Sequence, residues 1–214
     1  IDPAVWNEDG IYMIPQAVNF GFASLFFPAN GYLIVPSRLI TLVSVTISFE
    51  NYPLISTWLG IFTQSACVAA IAFAPTLLRL RLTSAIAILL LPMNAEVYTL
   101  PQYSFWWTTL LLMLALIWVP RANPALRFGF VAIGALSSPV GLLLAPLFGL
   151  RTIWLKFERS EVIAFGLNAL LSGVQAWFLF KTNASKPTTL SVADFPVIVQ
   201  KFLGGISDVF GPYG

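Results

Sequence analysis

The stretch FGFVAIGALSSPVGLLLAPLFGL, Phe128–Leu150, decides how this chain folds. It is long enough to cross a bilayer as one helix, for which about 20 apolar residues suffice. Its centre, Ser137-Ser138-Pro139, argues against that. Proline removes a backbone donor and clashes with the preceding turn. Backbone freed inside an apolar medium needs partners, and the two serine hydroxyls supply some. We therefore expect the chain to fold back here as two short helices, so that Phe128 and Leu150 face the same side.

The charges on either side of this stretch favour the same solution. Arg79 and Arg81 fall in one polar break, Arg121 and Arg127 in a second, and Arg151, Lys156 and Arg159 in a third, together with Glu158 and Glu161. With the fold-back, all three breaks share one side, which holds these seven of the 11 basic residues and two of the 9 acidic ones. Arg38, Lys181, Lys186 and Lys201 fall opposite, with the remaining acids. A straight span would move Arg151 to Arg159 across. Basic loops tend to stay in the cytoplasm, so the first side reads as cytoplasmic. Arg79, Arg121 and Arg151 are thus expected at one end, and Asp9, Glu96 and Asp194 at the other.

Composition sets the class. The chain has 214 residues, of which 58% are hydrophobic and only 9% charged; soluble domains carry about 25% charged residues. Mean hydropathy is +0.84. So little polar surface cannot cover a globule, and the expectation is an all-α, polytopic membrane protein. The net charge of +2 gives no reason to expect nucleic acid. Histidine is absent, which removes the commonest metal ligand and general base. Cys67 stands alone, so no internal disulfide or thiolate cluster is available, and it reads as a packing residue.

Apolar runs give the remaining organisation. Leu54–Phe73, Tyr103–Val119 and Val162–Phe180 are expected to span, whereas Leu82–Met93 is short. Between Gly10 and Phe49 the chain is apolar but interrupted by Pro15, Pro28, Gly31 and Pro36, a pattern suited to short helices lying in the membrane interface. Pro28–Gly31, PANG, reads as a turn. Three regions follow: an outer-face acidic loop with interfacial helices over 1–53, a transmembrane bundle over 54–180, and an extracytoplasmic or interfacial segment over 181–214. The sequence starts at Ile1 without Met or signal peptide, and a segment of a longer chain with a helix before Ile1 is expected.

Two adjacent carboxylates, Glu8 and Asp9, stand in the first region. As a purely structural feature they sit in the first turn of a helix capped by Asn7, where the helix dipole favours acids. As a functional feature, one of them is a general base, or a ligand for a divalent metal such as Mg or Mn, at the membrane surface. No other cofactor is expected. Arg38, the one arginine on that side, either snorkels to lipid headgroups or meets a phosphate. Asn94 and Glu96, at the mouth of a short helix, are loop polarity or contacts to a substrate. Trp106 and Trp107 read as an interfacial aromatic belt.

Glu8-Asp9-Gly10, followed by GYLIVPSRL over Gly31–Leu39, resembles the membrane-embedded glycosyltransferases of the GT-C superfamily, bacterial members above all. NAEVYTLPQYSFWW, Asn94–Trp107, and LSSPVGLLLAPL, Leu136–Leu147, resemble the same proteins in the same order. Gln102-Tyr103 and Trp106 depart from the Asn or His followed by Trp expected there. The resemblance implies a multi-pass protein of the bacterial inner membrane. It implies transfer of a sugar from a polyprenyl phosphate or pyrophosphate to an acceptor on the outer face. By position, Asp9 or Glu8 is the catalytic carboxylate, and Arg38, Tyr32, Asn94 and Glu96 are substrate contacts. The partners implied are a lipid-linked sugar donor and membrane lipids. Two alternatives remain: a non-catalytic subunit that binds partners in a larger membrane complex, and a transporter.

Overall fold

The chain turns back at Ser137-Ser138-Pro139. In a computed structural model, which describes residues 9–91 and 95–183 (side chains of 95, 96 and 183 excepted), all regular structure is helical. The helices are α1 (Ile14–Phe20), α2 (Val35–Ile47), α3 (Tyr52–Phe73), α4 (Arg81–Leu89), α5 (Ala95–Thr99), α6 (Ser104–Leu116), α7 (Ala125–Ala135), α8 (Val140–Trp154) and α9 (Arg159–Asn183). A π-helical turn over Asp9–Met13 precedes α1, and 3-10 turns cover Gly21–Phe26 and Pro101–Tyr103.

One carboxylate proves the direction of the turn. Arg127, at the start of α7, donates from Nη1 and Nη2 to both oxygens of Glu161 at 2.8 and 2.7 Å. Arg151, near the end of α8, donates to the same two oxygens at 2.9 and 3.1 Å. The far ends of α7 and α8 therefore meet at the first turn of α9. At the other end, the Gln175 amide donates to the carbonyl of Ala135, the last residue of α7, at 3.1 Å. Thus α9 runs parallel to α7 and antiparallel to α8. The expected fold-back is present, with one difference: the two halves pack chiefly on α9 and α6 rather than on each other.

Small and polar residues make these approaches. A Cβ on Gly134 would lie 2.6 Å from the Leu112 Cβ, so α6 and α7 touch backbone to side chain. Gly141 lies against Asn168 and Ser172 of α9, and Asn168 donates to the Gly141 carbonyl at 3.1 Å. Close approach at small residues, with polar side chains bonding across, is how helices associate where water is absent. At the break, Ser137 shares a hydrogen bond with Thr108 at 2.7 Å and Ser138 with Thr109 at 2.9 Å. The serines thus tie the turn to α6, as well as serving their own backbone.

The largest apolar cluster lies between α3, α6, α7, α8 and α9, with Trp118, Phe130, Leu112, Val131 and Phe148 buried. Trp118 meets Phe130 edge to face at 5.8 Å. Outside it, apolar side chains face outward. α3, with 22 residues, and Arg159–Thr182 of α9, with 24, are long and apolar enough to cross a membrane. Phe62 on α3 is 71% exposed and Trp177 on α9 is 67% exposed.

The run Tyr103–Val119 does not span as expected. α6 has 13 residues, about 20 Å at 1.5 Å per residue, against a hydrocarbon core of about 30 Å. Its end is set by a partner distant in sequence. Leu77 N–H donates to the Ile117 carbonyl and Val119 N–H to the Pro75 carbonyl, each at 2.8 Å, so residues 117–119 pair as extended chain with 75–77. The expected turn at PANG is present. Ala29 and Tyr32 exchange both backbone hydrogen bonds across Asn30 and Gly31, whose φ angles of 51° and 90° are those of a primed hairpin turn.

The ends of the molecule differ in charge. The loop carrying Arg79, the loop carrying Arg121, and Arg151 share the end marked by Glu161. Asp9, Leu33 and Gln175 mark the other. Asp194 lies outside the described residues.

Candidate functional site

The site begins with a buried polar face on α2. Ser37, Arg38, Thr41 and Ser44 recur at helical spacing and all are buried. Ser37 donates to the Gln102 carbonyl at 3.0 Å and shares a hydrogen bond with Ser104 at 2.9 Å, fixing α2 to the entry of α6. Thr41 reaches the Met13 sulfur at 3.7 Å and the Tyr52 hydroxyl at 3.4 Å. The turn that opens with Asp9 and ends with Met13 is thereby held one helical turn from Arg38 on α2.

Arg38 is 3% exposed. Its Nη1 donates to the Gln16 side-chain carbonyl at 2.7 Å, and its buried Nε has no protein partner. Among the described residues both ion pairs use Glu161, and no carboxylate meets Arg38. The snorkelling alternative is thus corrected: the guanidinium points inward. Burial pulls its pKa down to about 10, so it is still charged at neutral pH. It forms part of the wall of a cavity of about 190 Å³, with Tyr12, Met13, Gln16 and Asn30 around it. A desolvated cation that meets no anion among the described residues favours an anionic ligand.

Asp9 is 1% exposed, and its carboxylate lies close enough to the Tyr52 hydroxyl for their charges to interact. Gly10 beside it is exposed. Asp9 is therefore buried, one residue from an exposed glycine, and low-dielectric surroundings of this kind are where a carboxylate can be tuned for proton transfer. Tyr32 packs its ring on Phe105 at 6.3 Å, in a cluster with Met13 and Ile34 of which Met13 also lines the cavity. Glu8 and Asn94 lie outside the described residues. Glu96 belongs to α5, whose Val97 carbonyl accepts from Gln64 at 2.9 Å and from the Trp107 indole at 3.0 Å. Trp107 is therefore a buried clamp on α5 and not part of an aromatic belt, whereas Trp106 is exposed.

Among the described residues no three Asp, Glu, Cys or His side chains come together. At Asp9 the neighbouring carboxylate, Glu8, lies outside the described residues.

The structural roles of three groups were not read from the sequence. Gln16, the partner of Arg38, carries no signal beyond being an amide in an apolar run. Gln175 accepts from Leu33 N–H at 2.8 Å and donates to the Leu33 carbonyl at 3.0 Å, fixing the segment between the hairpin and α2. The Arg127–Glu161–Arg151 cluster was legible only as loop charge. Asn168 and Gln175 tie α9 to α8, to α7 and to the segment before α2.

No family model matches the chain, and no curated protein or solved structure is significantly similar to it.

Proposed function

We propose that the protein is a membrane-embedded glycosyltransferase that moves a sugar from a polyprenyl-phosphate donor to an acceptor on the outer face, with Arg38 at the donor phosphate and Asp9 as general base. The observation that carries this is Arg38: a buried guanidinium that no carboxylate among the described residues meets, on the wall of a small cavity beside the Asp9 turn. Membrane insertion is supported by the outward-facing apolar side chains of α3 and α9; a multi-pass topology in a bacterial inner membrane is part of the same proposal. The segregation of basic and acidic ends supports the orientation.

The chemistry follows. The acceptor hydroxyl attacks the anomeric carbon as Asp9 takes its proton. The new carbon–oxygen bond forms while the bond from the anomeric carbon to the phosphate oxygen breaks, and its electron pair stays on the phosphate. Arg38 stabilises that developing charge. Within the same proposal Glu8, next to Asp9, is the alternative catalytic carboxylate, and Glu96, Asn94 and Tyr32 are assigned to substrate contacts.

Binding of undecaprenyl phosphate, compared with the uncharged undecaprenol, tests the donor site. The protein should prefer the phosphate. Arg38→Gln should lose that preference, by about 10- to 100-fold, the worth of a charge-assisted hydrogen bond of about 1.5–3 kcal/mol. Equal binding of the two lipids by the unchanged protein would overturn the assignment. A second reading, a non-catalytic subunit of a larger membrane complex, is favoured by one observation, the near-complete burial of Asp9. It requires the unchanged protein to transfer no sugar.

A further inference from the structure

We propose that the groove beside Arg151, at the opposite end from Arg38, is a binding site for an anionic phospholipid of the bilayer. This rests on the membrane part of the proposal above and not on sugar transfer.

The groove encloses about 850 Å³ and is walled by Leu77, Leu116, Leu147, Leu150 and Trp154, with Arg151 as its one charged residue. That volume is typical of ligand clefts, about 300–1,000 Å³. Such a wall suits an acyl chain. The charge at its rim is left unbalanced by the fold. Arg127 and Arg151 share one carboxylate, so the three side chains carry a net positive charge in a place where Arg127 and Glu161 are almost fully buried. Arg151 is itself 13% exposed. Its Nε and Nη2 are taken by Glu161 and by the Trp118 carbonyl, and its Nη1 has no acceptor among the described residues. A cation fixed by its neighbours, with one donor left over and an apolar trough beside it, matches a negative headgroup attached to a hydrocarbon tail.

The chain around the groove is shaped for the same ligand. α8 ends in a Schellman turn, with Phe157 N–H on the Thr152 carbonyl at 2.9 Å and Lys156 N–H on the Ile153 carbonyl at 3.0 Å. It puts Lys156 and Phe157 in the left-handed region, at φ 54° and 59°, without a glycine. Trp154 and Phe157 are both exposed there, with Lys156 between them. Basic side chains with exposed aromatics at a helix end suit the interface of an anionic leaflet.

The test uses the full chain in detergent, titrated with phosphatidylglycerol and with phosphatidylcholine of the same acyl chains, and read by native mass spectrometry. Phosphatidylglycerol should bind about fivefold more tightly, the worth of one basic side chain against an anionic lipid surface. Arg151→Gln should erase the preference. Leu147→Trp, which fills the groove without touching the ion cluster, should weaken both lipids, and it decides the matter if Arg151→Gln fails to fold. No preference in the unchanged protein, or unaltered binding in Leu147→Trp, would overturn the site, and oleate displacing phosphatidylglycerol on equal terms would overturn the choice of a phospholipid. No sugar donor is present, so failure here leaves the Arg38 proposal standing, and that proposal fails only on the undecaprenyl phosphate comparison.

Discussion

Glu161 shows how much one residue decides. It neutralises a guanidinium that is 1% exposed, and nothing else among the described residues is placed to replace it. Glu161→Gln keeps the shape but leaves Arg127 charged and buried. Breaking a buried pair from one side costs about 3–5 kcal/mol, so this variant should lose most of its folded fraction in a thermal melt followed by size-exclusion chromatography. A variant that melts as the unchanged protein does would show that the ends of α7 and α8 are held by packing alone. Lys156 points the other way. An L-residue in the left-handed region costs about 1–2 kcal/mol, so Lys156→Gly should raise stability, by up to about 1 kcal/mol after the added freedom of the unfolded chain is deducted. A fall in melting temperature would mean that the Lys156 side chain holds the turn. Neither role was legible in the sequence, where both residues were simply charges in a break. Their partners lie on other helices, and only packing reveals them.

At the level of elements, hydropathy read the long helices well because a 20-residue apolar run leaves few alternatives. The break at Ser137-Ser138-Pro139 was legible for a local reason: proline cannot continue the ladder, and hydroxyls stood next to it. The end of α6 was not, because it is fixed by backbone pairing between residues 75–77 and 117–119, a contact with no local signature. The side chain that positions the loop before α2 was hidden in the same way. Gln175 makes three hydrogen bonds, to both backbone groups of Leu33 and to the Ala135 carbonyl. Gln175→Leu strands them in a dry interior at about 1–3 kcal/mol each. It should destabilise the protein strongly and raise hydrogen exchange at Leu33. Unchanged protection there would show that the hairpin at Ala29–Tyr32 holds the loop by itself. Gly134→Ala tests the α6–α7 contact: the added methyl meets Leu112, and overpacking costs about 1–3 kcal/mol.

Across the whole molecule, the gathering of the basic loops at one end was readable because charges are so few. With 9% of residues charged, each one is a constraint on which loops lie together. The candidate site was readable only in part. Asp9 and Arg38 were singled out by residue type and by resemblance, and the fold brings them to one end; that Arg38 turns inward to Gln16 depends on how α1 crosses α2. The central claim is that this end performs glycosyl transfer, with a carboxylate that takes a proton and a cation that receives a phosphate. The most direct measurement is release of polyprenyl phosphate from a panel of polyprenyl-phosphate-linked hexoses and pentoses by the full-length protein in liposomes, compared with Asp9→Asn. A positioned base contributes about 10²–10⁴-fold to rate. At least one donor should therefore be consumed by the unchanged protein, and Asp9→Asn, still folded, should slow that reaction by a factor in this range. Consumption at the same rate by Asp9→Asn and by Glu8→Gln would contradict the claim, and would leave the two acids as the first turn of a helix.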